Sequence, residues 1–295
     1  MSICFDKNLV IIRGGGDLGT GVAYKLFNSN FNIVILEIAN PITVRRKVAF
    51  SEAVYERKVT IEGVEAILVH EVHEIYNNIK HKKISVMIDE EAKIVNKLKP
   101  IALVDAIVAK KNFGTNRSLA PITIALGPGF VAGVDVDVVI ETNRGENLGK
   151  IIYKGTTSAN TGQPASVMGF KRERVLWAPV SGNIAVIKDI GQIVEKEEAV
   201  AEINGVEIKS KIAGFLRGMV RSGIYLREGL KVGDIDPRVD RLDLCYKLSD
   251  KACKLGESVL DAINKLKIRY NNQINCEETY VVWQKGYLKN FSTIC

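Results

Sequence analysis

The chain is short of the residues that mark small secreted or metal-built proteins. Five of its 295 residues are cysteine (Cys4, Cys245, Cys253, Cys276 and Cys295), an odd number with no C-x-x-C pair. This excludes a disulfide scaffold, a zinc ribbon and a thioredoxin-like redox pair, and it suits a reducing compartment. Histidine is scarcer still. His70, His73 and His81 are the whole set, and their spacing fits no metal-binding helix. No run of 18 uncharged apolar residues occurs, so no transmembrane helix is expected. The opening residues lack the basic stretch and small-residue cleavage site of a signal peptide, and a cytoplasmic location is expected. The excess of 41 Lys+Arg over 34 Asp+Glu leaves a net charge of +7, but the basic residues are scattered. They form short groups at Arg45-Arg46-Lys47, Lys80 to Lys83 and Lys171 to Arg174. Without an RNP, zinc-finger or basic-zipper pattern these read as solvated surface, so neither nucleic acid nor membrane is expected as a partner.

What remains is an ordinary globular composition, with 46% hydrophobic and 25% charged residues. The length suggests two domains with room for a small third. Residues 8–13 form a β-branched run ending at three glycines, and Leu18, Val22, Leu26 and Phe27 then recur at helical spacing from Asp17 to Asn28. Phe31 to Leu36 reads as a second buried strand. Strand, glycine turn, helix and strand make a βαβ unit, so a Rossmann-like parallel-sheet domain is expected over 1–110. Within it Ile84 to Ile88 and Ile101 to Asp105 read as strands, and Asp89 to Leu98 as a helix. A glycine-rich, strand-rich middle section follows over 111–177, its best strands at Ile122 to Leu126 and Val134 to Glu141. Turn clusters fall at Gly127-Pro128-Gly129 and Asn160 to Pro164.

Residues 178–235 carry an internal duplication at an offset of 32, Ala178 to Gly182 matching Ser210 to Gly214 and Gly191 matching Gly223. Neither half can bury a core alone. The pair resembles the biotinyl/lipoyl type of barrel-sandwich, and such a module is expected over 178–240. The turn between the halves, Asn204-Gly205-Val206, has no lysine to modify, and Lys209 lies too far along, which argues against a swinging-arm carrier. A C-terminal helix is expected within 241–268, from Ser249 to Lys267, and 269–295 forms a tail without a clear period.

Gly14-Gly15-Gly16-Asp17-Leu18-Gly19 satisfies G-x-G-x-x-G between a strand and a helix, and Glu37 follows at the end of the next strand. Glycines let backbone N–H groups approach a pyrophosphate, the helix start adds positive potential, and the acid can accept from ribose hydroxyls. These seven residues are the candidate nucleotide site; a loop kept only for packing is the alternative. Glu37 argues against a ribose 2′-phosphate, although Arg45 and Arg46 lie near in sequence. Candidates for chemistry are few. Asp105 ends a strand where ligand crevices form, or caps a turn. Cys245 lies near Arg238 and Arg241, whose charge would favour a thiolate, or is a buried hydrophobe. Asp135, Asp137 and Glu141 share a strand face that a cation could use, but a solvated face is the reading adopted, and no metal site is assigned.

Several stretches together resemble the YqeB family, accessory proteins of the selenium-dependent molybdenum hydroxylase system. They are Ile12 to Ala23, Leu36-Glu37 with Pro41 to Tyr55, Val104 to Lys110, Leu126 to Gly133, Val139 to Gly149, Asn160-Thr161-Gly162, Gly233 to Arg238, and Ser249 to Ala252 with its helix. The resemblance covers residues 8–268 and leaves the tail outside. It implies a role in maturing such a hydroxylase, with the hydroxylase and selenium-donor proteins as partners. It also implies a nucleotide-containing cofactor of the molybdopterin dinucleotide type, similar in purpose to the XdhC proteins. Cys245 falls where a cysteine often occurs in the family, and Glu146 stands where the pattern has histidine. The fingerprint alone equally fits an NAD-dependent oxidoreductase, and a protein-only assembly factor with a vestigial loop is the third reading.

Overall fold

The computed structural model describes residues 6–159, 162 and 164–268. The expected tail, the residues Asn160, Thr161 and Gln163 of one turn cluster, and Cys4, Cys276 and Cys295 lie outside the described residues.

The first three elements follow from periodicity. In β1 (Asp6–Arg13) alternate side chains enter opposite cores: Val10 and Ile12 pack with Val22, Ala23 and Leu26 of α1 (Asp17–Phe27). Leu9 and Ile11 pack on the other face with Ile75, Val95 and Leu98. Burial on both faces is what a continuous β-branched run in a parallel sheet requires. β2 (Asn32–Glu37) pairs parallel to β1, and the chain then crosses a long loop, 38–57, holding α2 (Ala53–Glu56). A hairpin, β3 (Lys58–Ile61) and β4 (Val64–Val69), and α3 (Val72–Lys80) follow. Next come β5 (Ile84–Ile88), α4 (Val95–Leu98) and β6 (Pro100–Asp105), then β7 (Ile122–Leu126), β8 (Val138–Ile140) and β9 (Ile151–Ile152). All nine strands form one sheet in the order β3-β4-β5-β2-β1-β6-β7-β8-β9, parallel except for the two edge pairs β3–β4 and β8–β9. The order departs from β1 in both directions, so a crevice opens at the carboxyl ends of β1 and β6.

This is not the architecture expected from the sequence, a Rossmann-like domain, a strand-rich middle section and a biotinyl/lipoyl-like barrel-sandwich. Strands β7, β8 and β9, assigned above to a middle section, complete the same large sheet. The crossovers from β6 to β7 and from β7 to β8 contain no helix, so this half of the sheet lacks the βαβ units of a Rossmann fold. Its cover comes instead from a distant helix, α5 (250–268), whose Leu255, Val259, Ala262 and Ile263 join the core of α1 and β1. The two helices meet backbone to backbone. A Cβ on Gly21 would lie 2.5 Å from the Ala252 carbonyl oxygen, and one on Gly256 2.6 Å from that of Gly21.

The duplicated segment also differs from expectation. It belongs to two four-stranded antiparallel sheets that begin before it, at β10 (Val175–Trp177). The first half supplies β11 (Gly182–Val186), β12 (Ile193–Val194) and β13 (Ala199–Ile203), followed by β14 (Val206–Lys209). The second supplies β15 (Gly214–Met219), β16 (Tyr225–Leu226) and β17 (Lys231–Asp236). The sheets run β10-β17-β15-β12 and β14-β13-β11-β16, so each half lends its short strand to the other half's sheet. Exchange of this kind explains why neither half could close a core by itself.

The long loop after β2 ties the two parts together. Nη2 of Arg45 donates to the carbonyls of Leu244 (2.8 Å) and Lys247 (2.9 Å). Arg46 pairs with Asp189 and donates to the Met219 carbonyl at 3.1 Å. Arg221 of the second part reaches back to Glu52 at 2.8 Å and to Glu56, and lies 4.6 Å from the centre of the Tyr55 ring. Among the described residues no helix is long and apolar enough to cross a membrane.

Candidate functional site

The crevice beyond β1 and β6 is a cleft of about 290 Å³. Its floor is Gly14 and Gly16, one wall is Glu37, Ile38, Pro41, Ile42 and Thr43, and Asp89, Glu90 and Ile107 close the far side. The glycines do different things. Gly14 holds φ +92° and donates its N–H to the Leu36 carbonyl at 2.8 Å, which turns the chain off β1. A Cβ on Gly15 would press on Ile35 Cγ2 and the Ser51 nitrogen at 2.9 and 3.0 Å. On Gly19 it would lie 2.0 Å from the Gly14 carbonyl oxygen, so α1 and the turn can approach this closely only with glycine there. Gly16 alone has nothing within 4 Å of a Cβ and faces open space. It is the N-cap of α1, and the N–H groups of the helix's first turn at Asp17, Leu18 and Gly19 have no intrahelical acceptor.

Glu37 is bound into the same turn. One oxygen accepts the Gly15 N–H at 2.6 Å and the other the Ile38 N–H at 3.1 Å. Burial pushes its carboxyl upward, and these two backbone donors oppose the shift. Each oxygen retains a lone pair for a hydroxyl in the cleft. Asp17 points away, its carboxylate 3.5 Å from Arg45 Nη1. Arg45 and Arg46, placed near the ribose end by sequence proximity, are turned into the second part of the molecule.

Asp105 is buried beneath the cleft rather than in it. Its oxygens accept from Thr115 Oγ1 (2.6 Å) and the Ile107 N–H (3.2 Å), with Arg13 at 3.8 Å. Burial raises its carboxyl, and these partners hold the shift back. Arg13 in turn donates to Thr115 Oγ1 and the Glu90 carbonyl, both at 2.6 Å, and to the Phe113 carbonyl at 3.2 Å. Asp105 thus ties the loop that follows β6 to itself, and Arg13 joins that loop to the one at Glu90 beneath the cleft. Cys245 is far from it, 1% exposed in the core of the second part, with its Sγ 3.5 Å from the Leu216 carbonyl. Burial raises its thiol despite Arg45 and Arg217 nearby, the setting of an inert cysteine. Asp135, Asp137 and Glu141 do not converge on a cation. Asp135 caps Val131, Asp137 binds Thr123 and Arg117, and Glu141 accepts from Asn143 and Ser158. Among the described residues no group of three or more His, Cys, Asp or Glu could hold a metal ion. His70, His73 and His81 are exposed, outside the cleft.

The wall of Ile38, Pro41 and Ile42 was not singled out from the sequence, and neither was the far side at Asp89 and Glu90. The signal for both was positional, since they follow directly on the carboxyl ends of β2 and β5, where parallel sheets form their crevices.

No family model matches the chain. It is 42% identical over 258 residues, 88% of its length, to the uncharacterized protein YqeB of Escherichia coli strain K12. Membership of the YqeB family is supported. The chain spans about half, 48%, of the length of this relative. Solved structures that resemble the chain are of the aspartoacylase and succinylglutamate desuccinylase kind, not a Rossmann domain joined to a biotinyl or lipoyl module. An aspartoacylase family protein from Mesorhizobium loti is 12% identical, covering 78% of this chain and 85% of that one, with a TM-score of 0.25. The ectoine utilization protein EutE from Ruegeria pomeroyi is 10% identical over 79% and 86% of the two chains, with a TM-score of 0.24. A succinylglutamate desuccinylase from Silicibacter sp. TM1040 is 12% identical over 79% and 85%, with a TM-score of 0.23. At such scores the likeness carries no argument about reaction or ligand.

Proposed function

We propose that the protein holds the nucleotide part of a molybdopterin dinucleotide-type cofactor in the glycine-floored cleft and serves, in the cytoplasm, the maturation of a selenium-dependent molybdenum hydroxylase. The observation that carries the ligand is the cleft itself, an open crevice with the bare backbone of Gly16 at a helix start and an apolar wall beside it. Ile38 and Ile42, 42% and 45% exposed, offer a dry surface to the face of a base. The first-turn N–H groups of α1 can receive a phosphate, and Glu37 is positioned by its own backbone bonds to accept from ribose hydroxyls. When bound, the cofactor would supply the pterin and its metal; the chain's own residues bind and orient the nucleotide end. The client hydroxylase and its selenium donors are proposed on the resemblance to the YqeB family. A carrier is favoured over an NAD-dependent oxidoreductase because, among the described residues, no histidine, lysine or tyrosine lines the cleft to donate a proton.

Native mass spectrometry of protein purified from a host with an intact molybdenum-cofactor pathway tests this reading. A released pterin dinucleotide is expected. NAD would mean the oxidoreductase instead, and an empty protein that also ignores added nucleotides would leave a protein-only assembly factor. Gly16→Phe should abolish nucleotide binding with only a small fall in the thermal midpoint, that of a weaker N-cap; unchanged affinity would overturn the site.

A further inference from the structure

A second cavity, of about 510 Å³, lies between β17, residues 164–167 and the start of α5. Six cationic side chains line it, Arg144, Arg174, Arg217, Lys231, Arg238 and Arg241, against the carboxylates of Asp234 and Asp250. Three of the six are neutralised in place. Arg144 makes a bidentate pair with Asp250 at 2.7 and 2.9 Å, Arg238 pairs with Asp236 at 2.6 Å, and Arg241 with Asp243 at 3.2 Å. The other three share a single carboxylate. Arg174 Nη2 takes Asp234 at 2.9 Å, Lys231 stands 3.5 Å from it, and Arg217 stands 3.9 Å from it, beyond hydrogen-bond range.

Arg217 is the exceptional member. Its side chain is 14% exposed, and its Nε is buried with no hydrogen-bond partner among the described residues. Buried guanidinium groups are normally satisfied, because leaving a charge desolvated and unpaired is costly. The charge is felt next door. Burial and then the charge of Arg217 lower the basicity of Arg45, whose own Nε is also buried without a partner. The start of α5, capped by Ser249 Oγ on the Ala252 N–H at 3.1 Å, points its positive end to the same place. The cavity thus holds about two positive charges more than its own acids balance, beside the apolar side chains of Leu244 and Leu248.

We propose that this cavity binds a phosphorylated small molecule, with Arg217 as its central ligand and Arg174 and Lys231 flanking the phosphate. A tetrahedral dianion matches the charge deficit and the forked donors of arginine better than a single carboxylate does. The volume exceeds that of phosphate alone, which leaves space for an organic portion on Leu244 and Leu248. The site is separate from the glycine-floored cleft and does not depend on its ligand.

Calorimetric titration of the full chain with pyrophosphate at constant ionic strength tests the proposal. Wild type should bind. Arg217→Met should weaken binding by roughly tenfold or more, the effect of removing a guanidinium fork from an anion. Gly16→Phe, which fills only the cleft and covers its phosphate-receiving helix start, should keep the component of binding that Arg217→Met weakens. Without ligand, Arg217→Met should melt at or above the wild-type midpoint, since it removes a like charge beside Arg45. Lys231→Met, at a half-exposed position where folding is not at stake, should also weaken binding. Failure of the wild type to bind pyrophosphate, or wild-type affinity in Arg217→Met or in Lys231→Met, would overturn the site, as would complete loss of binding in Gly16→Phe.

Discussion

The two concavities of this molecule solve opposite problems. The cleft above β1 and β6 is built from backbone, and the charged side chains that frame it are already hydrogen-bonded. Glu37 takes the Gly15 and Ile38 N–H groups, and Arg13, Asp105 and Thr115 satisfy each other underneath. The cavity against α5 is built from side chains whose charges are left unbalanced around Asp234. A preformed backbone cradle selects by shape and tolerates little change in its frame. A cluster of buried cations selects by charge, and its frame gains when a charge is removed. Stability and binding should therefore respond in opposite senses in the two places.

The sharpest contrast lies inside the glycine turn. Gly19→Ala places a methyl group 2.0 Å from the Gly14 carbonyl oxygen, and neither backbone can yield without moving β1 or α1. A loss of about 3 kcal/mol is expected, at the upper end for overpacking. Gly16→Ala meets nothing within 4 Å and has φ −61°, open to any residue, so it should cost less than about 1 kcal/mol at an N-cap. Urea unfolding of the pair measures both. Equal stability of the two variants would mean that the turn is looser than its geometry.

How much of this could be read from sequence depends on where the information sits. Buried parallel strands are continuous β-branched runs, and β1, β2, β5, β6 and β7 were legible for that reason. So was the glycine turn, because its residues are contiguous. The helix expected over Asp89 to Leu98 shrinks to Val95–Leu98. Asp89 instead caps the Lys93 and Ile94 N–H groups, and Ala92 takes φ +57°, so the first turn is never helical. The hairpin β3–β4 was missed although Glu62 and Gly63, both at positive φ, make a two-residue turn between apolar runs. The sheet's extension to β9 was not legible, and neither was its cover by α5, which joins residues some 230 positions apart through small-residue contacts such as Gly21 with Ala252. The basic cavity was not legible as a site, since Arg174 read as solvated surface and Arg238 and Arg241 only as neighbours of Cys245. Its cations come from six separate positions between 144 and 241, and only the fold gathers them.

Beneath the cleft the frame can be tested without touching the cleft itself. Thr115 is fully buried, its hydroxyl donating to Asp105 and accepting from Arg13, each at 2.6 Å. Thr115→Val keeps the shape and removes both bonds, leaving a carboxylate and a guanidinium short of partners. A cost of about 2 kcal/mol is expected from unfolding curves, within the range for unsatisfied buried polar groups. A neutral result would mean that the Phe113 and Glu90 carbonyls suffice for Arg13, and that Asp105 owes nothing to the hydroxyl.

The smallest effect should come from the rim of the charged cavity. Arg144, its strongest partner, holds the Asp250 carboxyl down to about 2. A carboxylate lowered in the folded state stabilises above its ordinary range, near 3.9, and the contribution is lost as pH falls toward about 2. Both side chains are solvent-exposed, 41% and 74%, so screening leaves the pair worth less than about 1 kcal/mol. Asp250→Asn should thus melt slightly below wild type near neutrality, and the gap should close in acid or in high salt. A gap unchanged by either would assign the loss to the start of α5 and not to the pair. The same substitution releases Arg144 into the cavity and removes one of its two lining acids, so pyrophosphate should bind Asp250→Asn more tightly than wild type. Lower stability with higher affinity in one variant is the signature of a site whose cations are held back by the protein's own carboxylates.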